Sequence, residues 1–171
     1  MLILLFVKLE LYKKLKKLLV LGVGNTLMID EGFGVHAVHE FWKEKDNFDE
    51  SLVDFIDGGT FTQDIFFLFE KYELLLVLDI VRAGHKPGTI YRLKEDELRH
   101  DKKQPLSLHD IDLLDSLDMA KMKGHSPELT VLGIEPGEIN WGTELTPALQ
   151  KAFPAYMEAA RKEIKSLLNQ V

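Results

Sequence analysis

The stretch that decides the fold is Gly22-Val23-Gly24-Asn25-Thr26-Leu27-Met28-Ile29-Asp30-Glu31-Gly32-Phe33-Gly34. An uninterrupted apolar run, 18–21, precedes it, and apolar residues recur at helical spacing after Gly34. This order predicts a buried strand, a glycine-rich turn and a helix. Such turns usually bind a phosphate, because backbone N–H groups and the helix dipole favour an anion. Here Asp30 and Glu31 occupy the turn, so we expect this site to attract a cation instead.

The overall composition narrows the class of protein. The length of 171 residues fits one domain with a substantial core. A net charge of −7 disfavours nucleic acid as a partner. The chain contains no cysteine, which excludes disulfides, thiolate metal sites and a cysteine nucleophile. The same absence fits a cytoplasmic protein, and we expect a cytoplasmic location.

Residues 1–17 differ from the rest of the chain, because a short apolar run is followed by several lysines. The run is too short to span a membrane, and the order of charge and apolar residues is wrong for a secretory signal. We therefore expect no membrane association. The segment is interpreted as an N-terminal extension, an added edge element or the product of a start codon assigned too early.

Strands alternate with helices over the remainder, 18–171. Strands are predicted over 18–23, 51–56, 74–81, 89–93 and 128–134. Helices are predicted from Gly34, over 61–72, over 107–124 with Ser107 as N-cap, and over 146–168 with a kink at Pro154. No element is predicted for the polar stretch 94–104. The alternation indicates a single-domain α/β three-layer sandwich, with a mostly parallel twisted sheet of about five strands and helices on both faces.

Three ligand-type residues are expected beyond the carboxyl ends of the strands, where parallel α/β sheets place their sites. They are Glu31 in the first turn, Asp79 at the end of the 74–81 strand, and His109 at the start of a helix. Two carboxylates and an imidazole suit Ni, Zn, Mn or Fe. Each also has a structural interpretation, as a turn acid or a helix-start residue. For Asp79 the functional interpretation is favoured, because a buried carboxylate is costly without a partner.

Other candidates are weaker. His36, His39 and Glu40 match no zinc-protease helix motif, and we expect them on a solvated face. Asp57-Gly58-Gly59-Thr60 is similar to an aspartic-protease signature, but Gly58 stands where a hydroxyl residue belongs and no second copy exists. The structural alternative is a turn after the second strand.

Taken together, these segments resemble the hydrogenase maturation endopeptidases. The resemblance covers roughly 18–168. It is carried by Gly24-Asn25-x-Leu27-x-x-Asp30-Glu31-Gly32-x-Gly34, Asp57-Gly58-Gly59-Thr60, Asp79 between apolar residues, Ser107-x-His109, Gly133-Ile134-x-Pro136 and Leu145-Thr146-Pro147. The family has either aspartate or glutamate at the position of Glu31, and many of its members have aspartate.

The resemblance implies a protease that trims the C-terminus of the large-subunit precursor of a nickel–iron hydrogenase. It implies that Glu31, Asp79 and His109 are the nickel ligands and mediate cleavage, with the nickel supplied by the precursor and no organic cofactor. Asp57 would shape the cleft and is a further catalytic candidate, while Asp30 would brace the loop. We expect a monomer.

Two alternatives belong to other classes. A dinucleotide-binding oxidoreductase is suggested by Gly22-x-Gly24 after a strand, but Leu27 occupies the third glycine position and the acidic pair would repel a pyrophosphate. A non-catalytic nickel chaperone would use the same three ligands.

Overall fold

Within residues 17–60, 66–100 and 110–169, which the computed structural model describes, five strands form one sheet in the order β2-β1-β3-β5-β4. The strands are β1 (Leu18–Val23), β2 (Val53–Gly59), β3 (Leu74–Ile80), β4 (Ile90–Lys94) and β5 (Glu128–Ile134). Strands β2, β1, β3 and β5 pair in parallel, and β4 pairs antiparallel with β5 at one edge. This is the predicted α/β fold with a mostly parallel five-stranded sheet.

The helices of the described ranges are α1 (Phe33–Lys43), α2 (Phe66–Phe69), α3 (Glu95–His100), α4 (Asp110–Met122) and α5 (Pro147–Leu168). Short 3-10 turns cover Ile29–Gly32 and Lys45–Asn47. Apolar side chains of α1 and α5 pack on one face of the sheet, and those of α2 and α4 pack on the other. Strands β1 and β3 are therefore buried on both faces, which explains their apolar sequences, interrupted by a charged residue only at Asp79 of β3.

Several predicted boundaries agree closely with the structure. Strand β5 occupies the predicted range, β3 ends one residue early, and α5 begins at Pro147 with Thr146 as its N-cap. Gly124 ends α4 in the left-handed conformation, as expected of a helix stop. The predicted N-terminal extension and the Ser107 cap lie outside the described residues, apart from Lys17.

Strand β2 begins two residues later than predicted and ends three residues later. It continues through Asp57 to Gly59, because β1 keeps pairing with it beyond a bulge at Gly58. The Gly24 N–H then donates to the Gly59 carbonyl at 2.8 Å.

The predicted 61–72 helix is wrong at its end, because α2 stops at Phe69 and leads through a turn into β3.

Helix α3 was missed because its stability comes from charges rather than from an apolar stripe. Among its described side chains only Leu98 is buried in the core. Arg99 pairs with Glu95 in the same helix at 2.7 Å and with Asp118 of α4 at 2.6 Å. Asp118 is distant in sequence and charge pairs leave no apolar period, so hydrophobic periodicity could not indicate the helix.

Glycine positions let the first turn lie directly against the strand ends. At Gly24 the backbone has φ +138°, a conformation that side chains rarely adopt. At Gly34 a β-carbon would lie 2.0 Å from the Leu78 carbonyl oxygen and 2.5 Å from that of Val23. The start of α1 is therefore in contact with β3 one residue before Asp79.

We expect Gly34→Ala to destabilise the protein by about 3 kcal/mol or more, because the helix must move away from both strands. Alanine is otherwise the better helix former by about 1 kcal/mol, so the sign of the effect reports the close contact. Urea denaturation measures the free energy of unfolding.

Gly84→Ala is the matched control. Gly84 also has positive φ, but no atom lies within 4 Å of the point that a β-carbon would occupy there. This variant should lose only about 1 kcal/mol from backbone strain. Equal losses in the two variants would contradict the steric explanation for Gly34.

Candidate functional site

The site lies at the point where the order of the strands in the sheet reverses. From β1 the chain passes to β2 on one side, whereas β3 pairs with β1 on the other. In open α/β sheets the crevice at such a switch point, beyond the carboxyl ends of the strands, is where ligands bind. Glu31 follows β1 and Asp79 ends β3, so the fold brings these two predicted residues to neighbouring strand ends.

Glu31 is buried, with 5% of its surface exposed. It lies in the 3-10 turn Ile29–Gly32, and its N–H donates to the Met28 carbonyl at 2.9 Å. Within the described part of the chain, no hydrogen bond or ion pair is made by its carboxylate. A carboxylate with no hydrogen-bond donor of its own is suited to a cationic partner.

Asp79 is also buried, with 3% of its surface exposed. Its Oδ1 accepts a hydrogen bond from the Ile80 N–H at 2.7 Å, and it pairs in register with Gly133 of β5. Burial, with a smaller contribution from the Asp79 carboxylate, raises the pKa of Tyr156 on α5. By strand alternation Asp79 belongs to the series of Leu75 and Val77, whose face packs on α4.

His109, the third predicted ligand, lies outside the described residues. The helix that follows it, α4, begins at Asp110 and ends shortly before β5. Because α4 leads back to the amino end of β5, its first turn belongs to the carboxyl edge of the sheet, on the face to which alternation assigns Asp79. Among the described residues no three histidine, aspartate or glutamate side chains form a group that could hold a metal ion.

Asp30 connects the first turn to the loop between β5 and α5. Its fully buried carboxylate accepts hydrogen bonds from the Gly137 N–H at 2.7 Å, the Glu138 N–H at 3.0 Å, and the Thr146 N–H and hydroxyl at 2.8 and 2.9 Å. Four donors contact this carboxylate, three of them at Oδ2, so Asp30 has a bracing role. The sequence suggested a brace, but not its distant partners.

Ile29 takes an unusual backbone conformation beside this brace. Its φ is +40°, which for a β-branched residue is a strained value. Its N–H donates to the Gly142 carbonyl at 2.8 Å, and the Gly142 N–H donates to the Leu27 carbonyl at 3.0 Å. The two loops are thus paired on both sides of Met28, and this pairing holds the strained residue directly before Asp30 and Glu31.

Asp57 lies at the same edge of the sheet, beyond β1 on the side away from β3. Its Oδ2 pairs with His39 Nε2 at 2.8 Å, and its Oδ1 accepts from the Gly59 N–H at 2.9 Å. His39 in turn stacks on Trp42, with ring centroids 4.6 Å apart. Asp57 is exposed and held by α1, so the structure places it beside the Glu31 turn rather than between Glu31 and Asp79.

The expectation of a solvated face is confirmed for His39 and Glu40, whose side chains are 43% and 37% exposed, but it is wrong for His36. His36 is half-buried, and its Nε2 is buried without a hydrogen-bond partner among the described residues. Burial, together with the neighbouring His39, lowers the pKa of His36. The two histidines border an open groove of about 520 Å³ between α1 and α5, lined also by Glu40, Lys43, Leu145, Gln150 and Phe153.

Glu135 is a buried residue directly after β5, and the sequence patterns did not single it out. Its carboxylate accepts hydrogen bonds from the Tyr91 hydroxyl and from the N–H groups of Ala83 and Gly84 at 2.9 and 3.2 Å. Burial alone would raise the pKa of Glu135, but these donors lower it overall. The contacts fix the connection from β3 to β4. An acid at the end of an apolar strand, the signal used for Asp79, would have identified it.

We expect Asp30→Asn to lower the free energy of unfolding by about 2–4 kcal/mol. The amide keeps only one acceptor oxygen and directs its own donors at backbone N–H groups. Asp46→Asn, a change at an exposed aspartate, should stay within about 0.5 kcal/mol of the wild type. A loss under about 1 kcal/mol for Asp30→Asn in chemical denaturation would mean that other contacts hold the two loops together.

The buried His36 also predicts a pH effect on stability. Its pKa is lowered in the folded state, so the unfolded chain binds the proton first as the pH falls through about 6.5. The wild type should therefore lose more stability between pH 7.5 and 5.5 than His36→Leu does. Thermal unfolding at both values measures this, with His125→Leu, at an exposed loop histidine, as the control. Parallel losses in the wild type and His36→Leu would exclude the effect.

No helix in the described ranges has the length and apolar character needed to cross a bilayer.

The family model described as hydrogenase maturation protease matches residues 35–163. The hydrogenase expression/formation protein HupD of Rhizobium leguminosarum bv. viciae is 35% identical over 153 residues, covering 88% of this chain and 75% of HupD.

The hydrogenase 2 maturation protease of Escherichia coli is 30% identical over 156 residues, covering 90% of this chain and 92% of that protein. Among solved structures, the hydrogenase maturating endopeptidase HybD from E. coli superposes with a TM-score of 0.77 at 26% identity. That match covers 88% of this chain and 93% of HybD. With its fold, its motifs and these relatives in agreement, the chain belongs to the hydrogenase maturation protease family and is a peptidase.

Proposed function

We propose that this peptidase removes the C-terminal extension of the nickel-loaded large-subunit precursor of a nickel–iron hydrogenase. The nickel arrives with the precursor and is part of the substrate. Glu31, Asp79 and His109 bind it, and this contact selects the loaded precursor for cleavage. The protein works as a cytoplasmic monomer and uses no organic cofactor.

The observation that carries the proposal is the pair of buried carboxylates at the ends of adjacent strands. Glu31 has no hydrogen-bond donor within the described part of the chain, and both residues lie at the switch point of the sheet. A site with this charge is unsuited to the pyrophosphate of a dinucleotide, which speaks against the oxidoreductase alternative. Carboxylate and imidazole ligands suit a divalent transition metal.

Nickel has two possible roles in this site, and one experiment separates them. It can polarise the scissile carbonyl or activate a water, or it can serve only as a recognition mark. If nickel takes part in bond breaking, nickel-free precursor at saturating concentration is not cut. If nickel serves recognition alone, nickel-free precursor is cut at the same maximal rate but with a higher KM.

Removing any of the three ligands should slow precursor cleavage about 100-fold or more. The variants are Glu31→Gln, Asp79→Asn and His109→Ala, and the readout is the mass of nickel-loaded precursor after timed incubation. Glu50→Gln is the matched control, because Glu50 is an exposed glutamate just before the amino end of β2, whereas the site lies at the carboxyl ends of the strands. This variant should cleave the precursor at the wild-type rate.

Wild-type cleavage rates in all three variants would overturn the ligand assignment. An unchanged precursor mass with the wild-type protein would instead favour the chaperone alternative. Thermal unfolding of each variant distinguishes loss of activity from loss of folding.

A further inference from the structure

Two large apolar side chains are exposed on the loops that carry the proposed site. Leu27 is 55% exposed and Trp141 is 77% exposed. They come from different loops, but the Gly142 N–H donates to the Leu27 carbonyl at 3.0 Å, so their backbones are neighbours. Glu31 follows Leu27 by four residues in the same turn.

Hydrogen bonds hold the backbone that carries these two exposed side chains. The Leu27 N–H donates to the Asn25 side chain at 3.0 Å, and the Trp141 N–H donates to the Asn140 side chain at 2.8 Å. Asp30 connects the same two loops through four further hydrogen bonds. A tryptophan held outward on a fixed loop is typical of an anchor in a protein interface.

The two loops that carry these side chains contain acidic residues and no basic ones. Neither the first turn, 22–34, nor the second loop, 135–146, contains a lysine or arginine. Glu138 and Glu144 are exposed three residues to either side of Trp141 in sequence, and neither carboxylate pairs with another described residue. A second copy of this acidic chain would be repelled there, whereas a basic partner would be attracted.

We infer that Leu27, Trp141, Glu138 and Glu144 form a docking surface for the hydrogenase precursor, called here the Leu27–Trp141 surface. The inference rests on the proposed function, since it names the face by which that substrate is held. The docked segment of the precursor presents an apolar side chain to Leu27 and Trp141 and lysine or arginine residues to the two glutamates. Docking beside Glu31 brings the precursor's metal to the switch point of the sheet.

Binding and cleavage of nickel-loaded precursor are measured separately to test this. Trp141→Ala and Leu27→Ser should each weaken binding tenfold to a hundredfold, by the magnitude usual for interface anchors, with the loss in cleavage falling on KM rather than on kcat. Met122→Ala is the matched control, because Met122 is 88% exposed at the far end of α4, and it should bind as the wild type does.

A double variant tests how much the two glutamates contribute to precursor binding. Glu138→Gln combined with Glu144→Gln should weaken binding severalfold at low salt and flatten its dependence on salt concentration. All these side chains are exposed, so the melting temperatures should stay near that of the wild type, which separates docking from folding.

Unchanged binding by Trp141→Ala and Leu27→Ser would overturn the inference while leaving the proposed function intact. If the wild type binds precursor through this surface but leaves its mass unchanged, the inference holds and the proposed function fails. A wild-type dimer in sedimentation that Trp141→Ala converts to a monomer would assign the surface to self-association and overturn the inference.

Discussion

The carboxylate of Asp30 is the contact on which the site depends. It joins two loops more than 100 residues apart in sequence through four hydrogen bonds, and it is fully buried. Charge-assisted bonds of this kind are stronger than neutral ones, and they are strongest away from water. The same residue therefore fixes the turn after β1, the loop after β5 and the N-cap of α5, since Thr146 is both its partner and the cap.

Around this contact the two acids of the first turn have opposite roles. The Asp30 carboxylate accepts four hydrogen bonds, whereas the Glu31 carboxylate accepts none in the described part of the chain. The difference comes from the 3-10 turn, which directs neighbouring side chains to different surroundings. One acid holds the loops together and the other has a free carboxylate within the described residues, so two residues that look equivalent in sequence are separated by geometry.

The layout of the sheet followed from the sequence, because buried parallel strands have continuous apolar runs and the glycines specify the turn. Strands β3 and β5 and helix α5 were predicted nearly to the residue. Helix α3 was not, because Arg99 finds its partner Asp118 on another helix. The length of β2 was not predicted either, because Asp57 and Gly59 are kept in the strand by pairing with β1.

For the site, sequence analysis placed Glu31 and Asp79 at the correct strand ends, since the carboxyl-edge rule needs only the order of elements. It could not find the partners of Asp30 or the role of Glu135, because those contacts join loops that approach only in three dimensions. His36 was misjudged for a related reason, because helix α5 covers part of α1 that looked free.

The strained backbone at Ile29 has a consequence for how a large substrate is received. Residues with positive φ and a branched side chain persist only where their surroundings leave no alternative. The energy of that conformation, about 1–3 kcal/mol, is supplied once, when the chain folds. The backbone that carries Glu31 is therefore already formed before any partner arrives, and an encounter with one requires little reordering of this turn. Rigidity of this kind favours discrimination, because a partner that does not fit this turn meets a backbone that does not adapt to it.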